Sequence, residues 1–98
     1  MENVINKYET IFVIDTAAGE EAIASFVAKF KDLIAANGTV ENVDEWGKRR
    51  LACEIAHKRE GYYTLIEFSS QAEFIAELER VYGITDGIIR NIVIRKEQ

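Results

Sequence analysis

Cys53 and His57, with Glu54 between them, come closest in this sequence to the parts of a catalytic or metal site. On a helix, residues four apart are neighbours. A thiol beside an imidazole there could form a nucleophilic dyad or half of a zinc site. The stretch that carries them, "TVENVDEWGKRRLACEIA", reads instead as a long extended segment. On a strand the two side chains lie roughly 13 Å apart, at about 3.3 Å per residue. That separation is too wide for one zinc ion or a thiol–imidazole hydrogen bond. The chain also has only one histidine. Cys53 therefore reads as a small hydrophobe and His57 as a hairpin residue, and we expect no metal and no cofactor.

The other candidates for chemistry are weaker. The seventeen Asp and Glu residues are spread over helix faces and strand ends, as on a solvated surface. Neither GxGxxG nor GxxxxGK[ST] occurs, so no phosphate cradle is encoded. An iron–sulfur centre needs four cysteines, and there is one. We expect no enzymatic activity.

What does stand out is charge. The net formal charge is −5, yet "EWGKRRLACEIAHKRE" (45–60) holds five of the twelve Lys and Arg residues against three acidic ones. Outside that window seven basic residues face fourteen acidic ones. A localised cationic patch on an acidic body suits contact with RNA phosphate or with a protein partner. Lys48, Arg49, Arg50, Lys58 and Arg59 form the patch, and Arg90, Arg95 and Lys96 form a second basic set near the end of the chain. Charges on a long or edge strand also discourage strand-to-strand aggregation, and both roles can hold together.

The elements that must position these residues follow from periodicity. "KYETIFVI" (7–14) is a strand with Tyr8, Thr10, Phe12 and Ile14 on one face and Lys7, Glu9, Ile11 and Val13 on the other. Ile23, Phe26, Val27, Phe30, Leu33 and Ile34 make one helical stripe, with Phe26 and Phe30 set to face Tyr8 and Phe12. Glu20 and Glu21 favour that helix's start, and Asn37-Gly38 reads as a left-handed stop. The extended segment after it is expected to bulge at Gly47. "HKREG" reads as the hairpin connection and residues 62–68 as the returning strand. Ser70 and Glu73 have capping-box spacing ahead of a second helix. That helix carries Ile75, Leu78, Val81 and Tyr82, and is expected to stop at Gly83. Residues 88–95 form the last strand, with Ile89 and Val93 on one face and Ile88, Ile92 and Ile94 on the other.

The order βαββαβ predicts one α+β domain over residues 1–98, a ferredoxin-like fold with a four-stranded antiparallel sheet and two helices on one face. Nothing in the chain covers the second sheet face. Ile11, Val13 and Ile92 lie there and are candidates for a partner's contact. No run of 18 apolar residues exists, and the first residues lack the pattern of a secretory signal. With one cysteine, the chain is expected to be cytoplasmic, with no membrane and no DNA among its partners.

"GYYTLIEF" (61–68) invites comparison with the RNP1 strand of RNA-recognition motifs, but Glu60 stands where a basic residue belongs. Tyr63 stands where a small residue belongs, and Thr64 where an aromatic does. The motif therefore argues against base stacking on this strand. Trp46, beside Gly47 and the basic run, could pack on a guanidinium or a partner, or could cap the end of the core.

"EWGKRRLACEIA" resembles the basic-turn motif of the family of ribosomal protein six of the bacterial small subunit. "KYETIFVI", "NGTVENVDEWG", "GYYTLIEF" and "DGIIRNIVIR" are similar to that family's other strands and passages, in the same order and over almost the whole chain. The resemblance implies a structural role in the ribosome without enzymatic activity. It also implies binding to small-subunit ribosomal RNA jointly with ribosomal protein eighteen, a small basic partner. Cys53-Glu54 depart from the Tyr-Pro common in the family, and no role of the longer acidic tails seen there is carried over to this chain. The alternative is a regulatory or oligomerisation domain of the same fold that binds a small ligand, although no glycine-rich polar cluster is present to form its pocket. An acylphosphatase-type hydrolase would need an arginine-bearing anion loop where "IDTAAGEE" is acidic.

Overall fold

A computed structural model describes residues 5–55 and 58–96, with the side chains of 50–59 left aside. Its elements are β1 (Asn6–Asp15), α1 (Glu20–Asn37), β2 (Gly38–Ile55), β3 (Lys58–Ser70), α2 (Ala72–Ile84) and β4 (Ile88–Arg95). A short 3₁₀ turn, Thr16–Ala18, leads into α1, with the Asp15 carboxylate accepting from the Ala17 N–H at 2.9 Å. The strands pair antiparallel in the order β2-β3-β1-β4. This is the ferredoxin-like arrangement expected from the element order.

Both helices bury their stripes against one sheet face. Tyr8, Phe12, Ile14, Ile66 and Phe68 of the sheet meet Ile23, Val27, Phe30 and Ile34 of α1 and Phe74, Leu78 and Tyr82 of α2. At the centre, the Phe30 ring lies 5.2 Å from Phe12 and 4.5 Å from Tyr82. Tyr8 stacks on Phe68 at 5.6 Å rather than on α1. Phe26 sits over Gly87, where a Cβ would come within 2.9 Å of its ring, so it closes the end of the core instead of facing Tyr8.

Several local expectations are corrected. Gly38 is extended, with φ −175°, so it is no left-handed stop. It is glycine because β3 passes so close that a Cβ would collide with the Ser69 carbonyl oxygen. Ser70 does not cap α2. It is held in the ladder between Asn6 and Gly38 while its hydroxyl donates to the Gln71 carbonyl, and Gln71 takes the cap position without a side-chain bond. The second helix runs on through Gly83 to Ile84. Strand β3 begins at Lys58, so most of the expected hairpin connection is paired strand, and His57 lies outside the described residues.

Two bulges matter more, because they decide which way side chains point. In β4 the register shifts between Val13 and Ile14, which pair with Arg90 and Ile88. Ile89 is the extra residue, and Ile88 is thereby turned into the core rather than onto the face of Ile92 and Ile94. In β2 one of three shifts falls between Glu45 and Gly47, with Gly47 at φ +85°, as the bulge expected there requires.

Candidate partner and nucleic-acid interface

The sheet face away from the helices can be read row by row from the register. Across β2, β3, β1 and β4 the rows are Gly47–Tyr63–Val13–Arg90, then Asp44–Leu65–Ile11–Ile92, then Asn42–Glu67–Glu9–Ile94. No element of the described chain packs over this face. Ile92 is 47% exposed and Ile94 43% exposed, while Leu65 and Val13 form its floor. Val13, read as a partner-facing residue, is only 1% exposed and therefore supports the surface without offering contact of its own. Ile11 is half-buried beside Ile92.

Charge on this face is sorted. At one end the Lys96 ammonium lies 2.8 Å from the Glu67 carboxylate. That hydrogen bond and charge hold Glu67 below the usual carboxylate range. Lys96 is pushed up, first by its hydrogen bond to Glu67 and further by the fields of Glu67, Glu9 and Glu41. Glu41 also accepts from the Ser69 hydroxyl at 2.8 Å. Three carboxylates thus surround one ammonium, so Lys96 answers local acid rather than extending a basic track. At the other end stand Arg90, exposed in the Tyr63 row, and Arg49, which pairs with Gly61 one row further on.

Between these ends Trp46 lies against Tyr63, ring centroids 6.3 Å apart and planes 17° from parallel. Its indole N–H donates to the Asp44 carboxylate at 3.0 Å. Trp46 therefore belongs to the outer face and does not cap the core. The motif comparison missed this pair because its two aromatics come from different strands. The shift at Gly47 leaves Trp46 and Gly47 together opposite Tyr63, a cross-strand pairing that no motif within one strand announces.

The remaining basic candidates divide. Lys48 pairs with Tyr62 and turns to the helix side. There it lines an open cleft of about 260 Å³ with Glu20, Ile23, Ala24, Glu45 and Tyr62. In that cleft the Tyr62 hydroxyl donates to Glu45 at 2.7 Å, and this bond, with some burial, raises its pKa. Two carboxylates against one ammonium make the cleft a poor seat for an anionic ligand. Arg95 pairs with Tyr8 and donates to the Asn6 side chain at 2.9 Å, also away from the Arg90 row. Arg50, Lys58 and Arg59 lie on the paired extension of β2 and β3, their side chains outside the description. Among the described residues no cluster of His, Cys, Asp and Glu is arranged to hold a metal ion.

Comparison with known proteins agrees with this architecture. The sequence matches the family described as ribosomal protein S6 over residues 7–95. It is 57% identical over 95 residues to small ribosomal subunit protein bS6 of Clostridium perfringens, covering 96% of this chain and all of that one. Identity to the bS6 protein of Clostridium beijerinckii is 47% over 94 residues, covering 95% of this chain and 99% of the other. The fold superposes on the crystal structure of 30S ribosomal protein S6 from Thermotoga maritima with a TM-score of 0.90 at 33% identity, covering 95% and 89% of the two chains. The chain belongs to the ribosomal protein S6 family, structural and non-enzymatic components of the bacterial small ribosomal subunit.

Proposed function

We propose that this chain, working on the ribosome in the cytoplasm, binds small-subunit ribosomal RNA jointly with ribosomal protein eighteen. The observation that carries the reading is the outer sheet face, where Ile92 and Ile94 stand exposed beside Ile11 and Leu65. An apolar surface of this kind is suited to a protein partner. Charge supplies the second half of the argument. Nucleic-acid affinity comes largely from neutralised phosphates, and a body of net charge −5 repels a polyanion over most of its surface. A basic partner seated on the apolar rows supplies the missing cations.

The test is a titration of a small-subunit ribosomal RNA fragment with each protein alone and with the pair, at two salt concentrations. The pair is expected to bind far more tightly than either protein alone. Tight binding by this chain alone, or a pair no better than its stronger member, overturns the proposal.

A further inference from the structure

We infer that Trp46, backed by Tyr63, is the seat of one unpaired base of the RNA, with Arg49 and Arg90 beside it on the flanking phosphates. The inference rests on the joint RNA-binding reading and names the part of the RNA that this end of the sheet takes.

Three observations support it. First, Trp46 is held in advance of any ligand. Its ring is nearly parallel to Tyr63, its N–H is fixed on Asp44, and 37% of the residue remains accessible. An aromatic surface already fixed in place loses little conformational freedom when a base stacks on it. Second, two exposed cations flank the ring beyond the Asp44 carboxylate that holds its N–H. Arg90 closes the same row on β4 and Arg49 stands in the next row on β2, both exposed. Arg90 is three strand spacings from Trp46, about 14 Å, within the span of a few nucleotides. Third, the acidic group Glu9, Glu41 and Glu67 is gathered at the opposite end around Lys96. Phosphate is thus repelled from one end of the face and attracted to the other. The row of Leu65, Ile11 and Ile92 between them, with Ile94 beside it, remains for the protein partner.

A cation from the partner could also stack on an indole, and the experiment separates that outcome. Trp46 is the single tryptophan of the chain, so 5-fluorotryptophan labelling gives one fluorine resonance in a complex with unlabelled partner and RNA. The resonance is expected to move on addition of RNA to the heterodimer, beyond any change the partner alone produces. In parallel, Trp46→Leu should weaken RNA binding by the heterodimer about 5- to 100-fold with an unchanged salt slope. Trp46→Phe should recover part of that loss. Arg90→Ala should instead lower the log–log salt slope by about 0.7, the value for one single-strand phosphate contact. A fluorine shift complete with the partner alone, or RNA binding that leaves the resonance and the Trp46→Leu affinity unchanged, overturns the inference while sparing the joint-binding reading. A heterodimer that binds no RNA overturns both.

Discussion

Tyr82→Phe probes the one polar network buried at the heart of the core. Tyr82 is nearly inaccessible, and its ring contacts with Phe12 and Phe30 survive the change. What is lost is the hydroxyl, 3.0 Å from Thr10 Oγ1. Thr10 has one proton, and it goes to the Ile92 carbonyl at 3.0 Å, so Tyr82 must be the donor to Thr10. Removing that donor leaves Thr10 bonded to Ile92 and short only of an acceptor interaction. The cost should be that of one ordinary hydrogen bond, about 1 kcal/mol, or roughly 4–8 °C in melting temperature for a domain of this size. Thr10→Val is the harsher change, because it strands the Tyr82 proton in the core at about 1–3 kcal/mol on top of the lost bond. Tyr82→Phe added to Thr10→Val should then recover stability rather than lose more.

The same phenol gives a pH signature. Burial pushes the Tyr82 pKa above its usual value of about 10. The folded state therefore keeps a proton that the unfolded chain gives up. Stability from this group is complete below pH 10 and falls as the pH rises beyond it, by up to about 1.4 kcal/mol per unit. Tyr82→Phe removes that dependence. Urea denaturation of both proteins from pH 7 to 11 should show the wild type ahead by about 1 kcal/mol at neutrality, with the curves crossing between about pH 10 and 11. Parallel curves, or a neutral-pH loss above about 3 kcal/mol, would refute the assignment of donor and burial.

Phe30→Ala, which empties the contact among Phe12, Phe30 and Tyr82, should cost about 3–5 kcal/mol in urea denaturation. A loss below about 1 kcal/mol would mean that the α1 stripe does not form the core. Gly38→Ala places a methyl group against the Ser69 carbonyl and should cost at least about 1–3 kcal/mol, and an unchanged midpoint would contradict the close approach of β2 to β3. Thr64 carries the one buried side-chain oxygen among the described residues that has no partner. Thr64→Val should be neutral or stabilising by up to about 1 kcal/mol, and a clear loss would reveal a hydrogen bond there.

The fold was legible because each element announces itself through periodicity. The alternation of β1 and the stripe of α1 match the buried residues nearly position for position, Tyr8 through Ile14 and Ile23 through Ile34. The site was less legible, and the reason is geometric. Side-chain direction along a strand is set by counting in twos, and a bulge restarts the count. Counting through β4 puts Ile88 beside Ile92, whereas the extra residue Ile89 sends Ile88 inward. Alternation divides the basic run, and the bulge before Gly47 decides which residue faces out, with Lys48 turned to the helix side and Arg49 to the outer face. Charge runs read along the chain as one patch therefore divide between two faces. Phe74, absent from the expected α2 stripe, stands four residues before Leu78 and is legible from helical spacing alone.

The sorting of charge on the outer face also bears on how an acidic protein can serve an RNA particle at all. Spread evenly, the excess of acid would oppose any approach to phosphate. Here Glu9, Glu41 and Glu67 are concentrated beside Lys96, while Arg49 and Arg90 stand toward the other end of the sheet. At physiological ionic strength charges are screened over about 8 Å, and the row spacing along a strand is nearly 7 Å per two residues. Two or three rows are thus enough for the arginine end to be largely screened from the acid end. The row of Leu65, Ile11 and Ile92 supplies that separation as well as a surface for a partner. Net charge predicts repulsion from RNA, but the local field at Trp46 is set by its own neighbours. Binding of RNA at one end and of a basic protein over the rest is therefore compatible with a chain whose formal charge is −5.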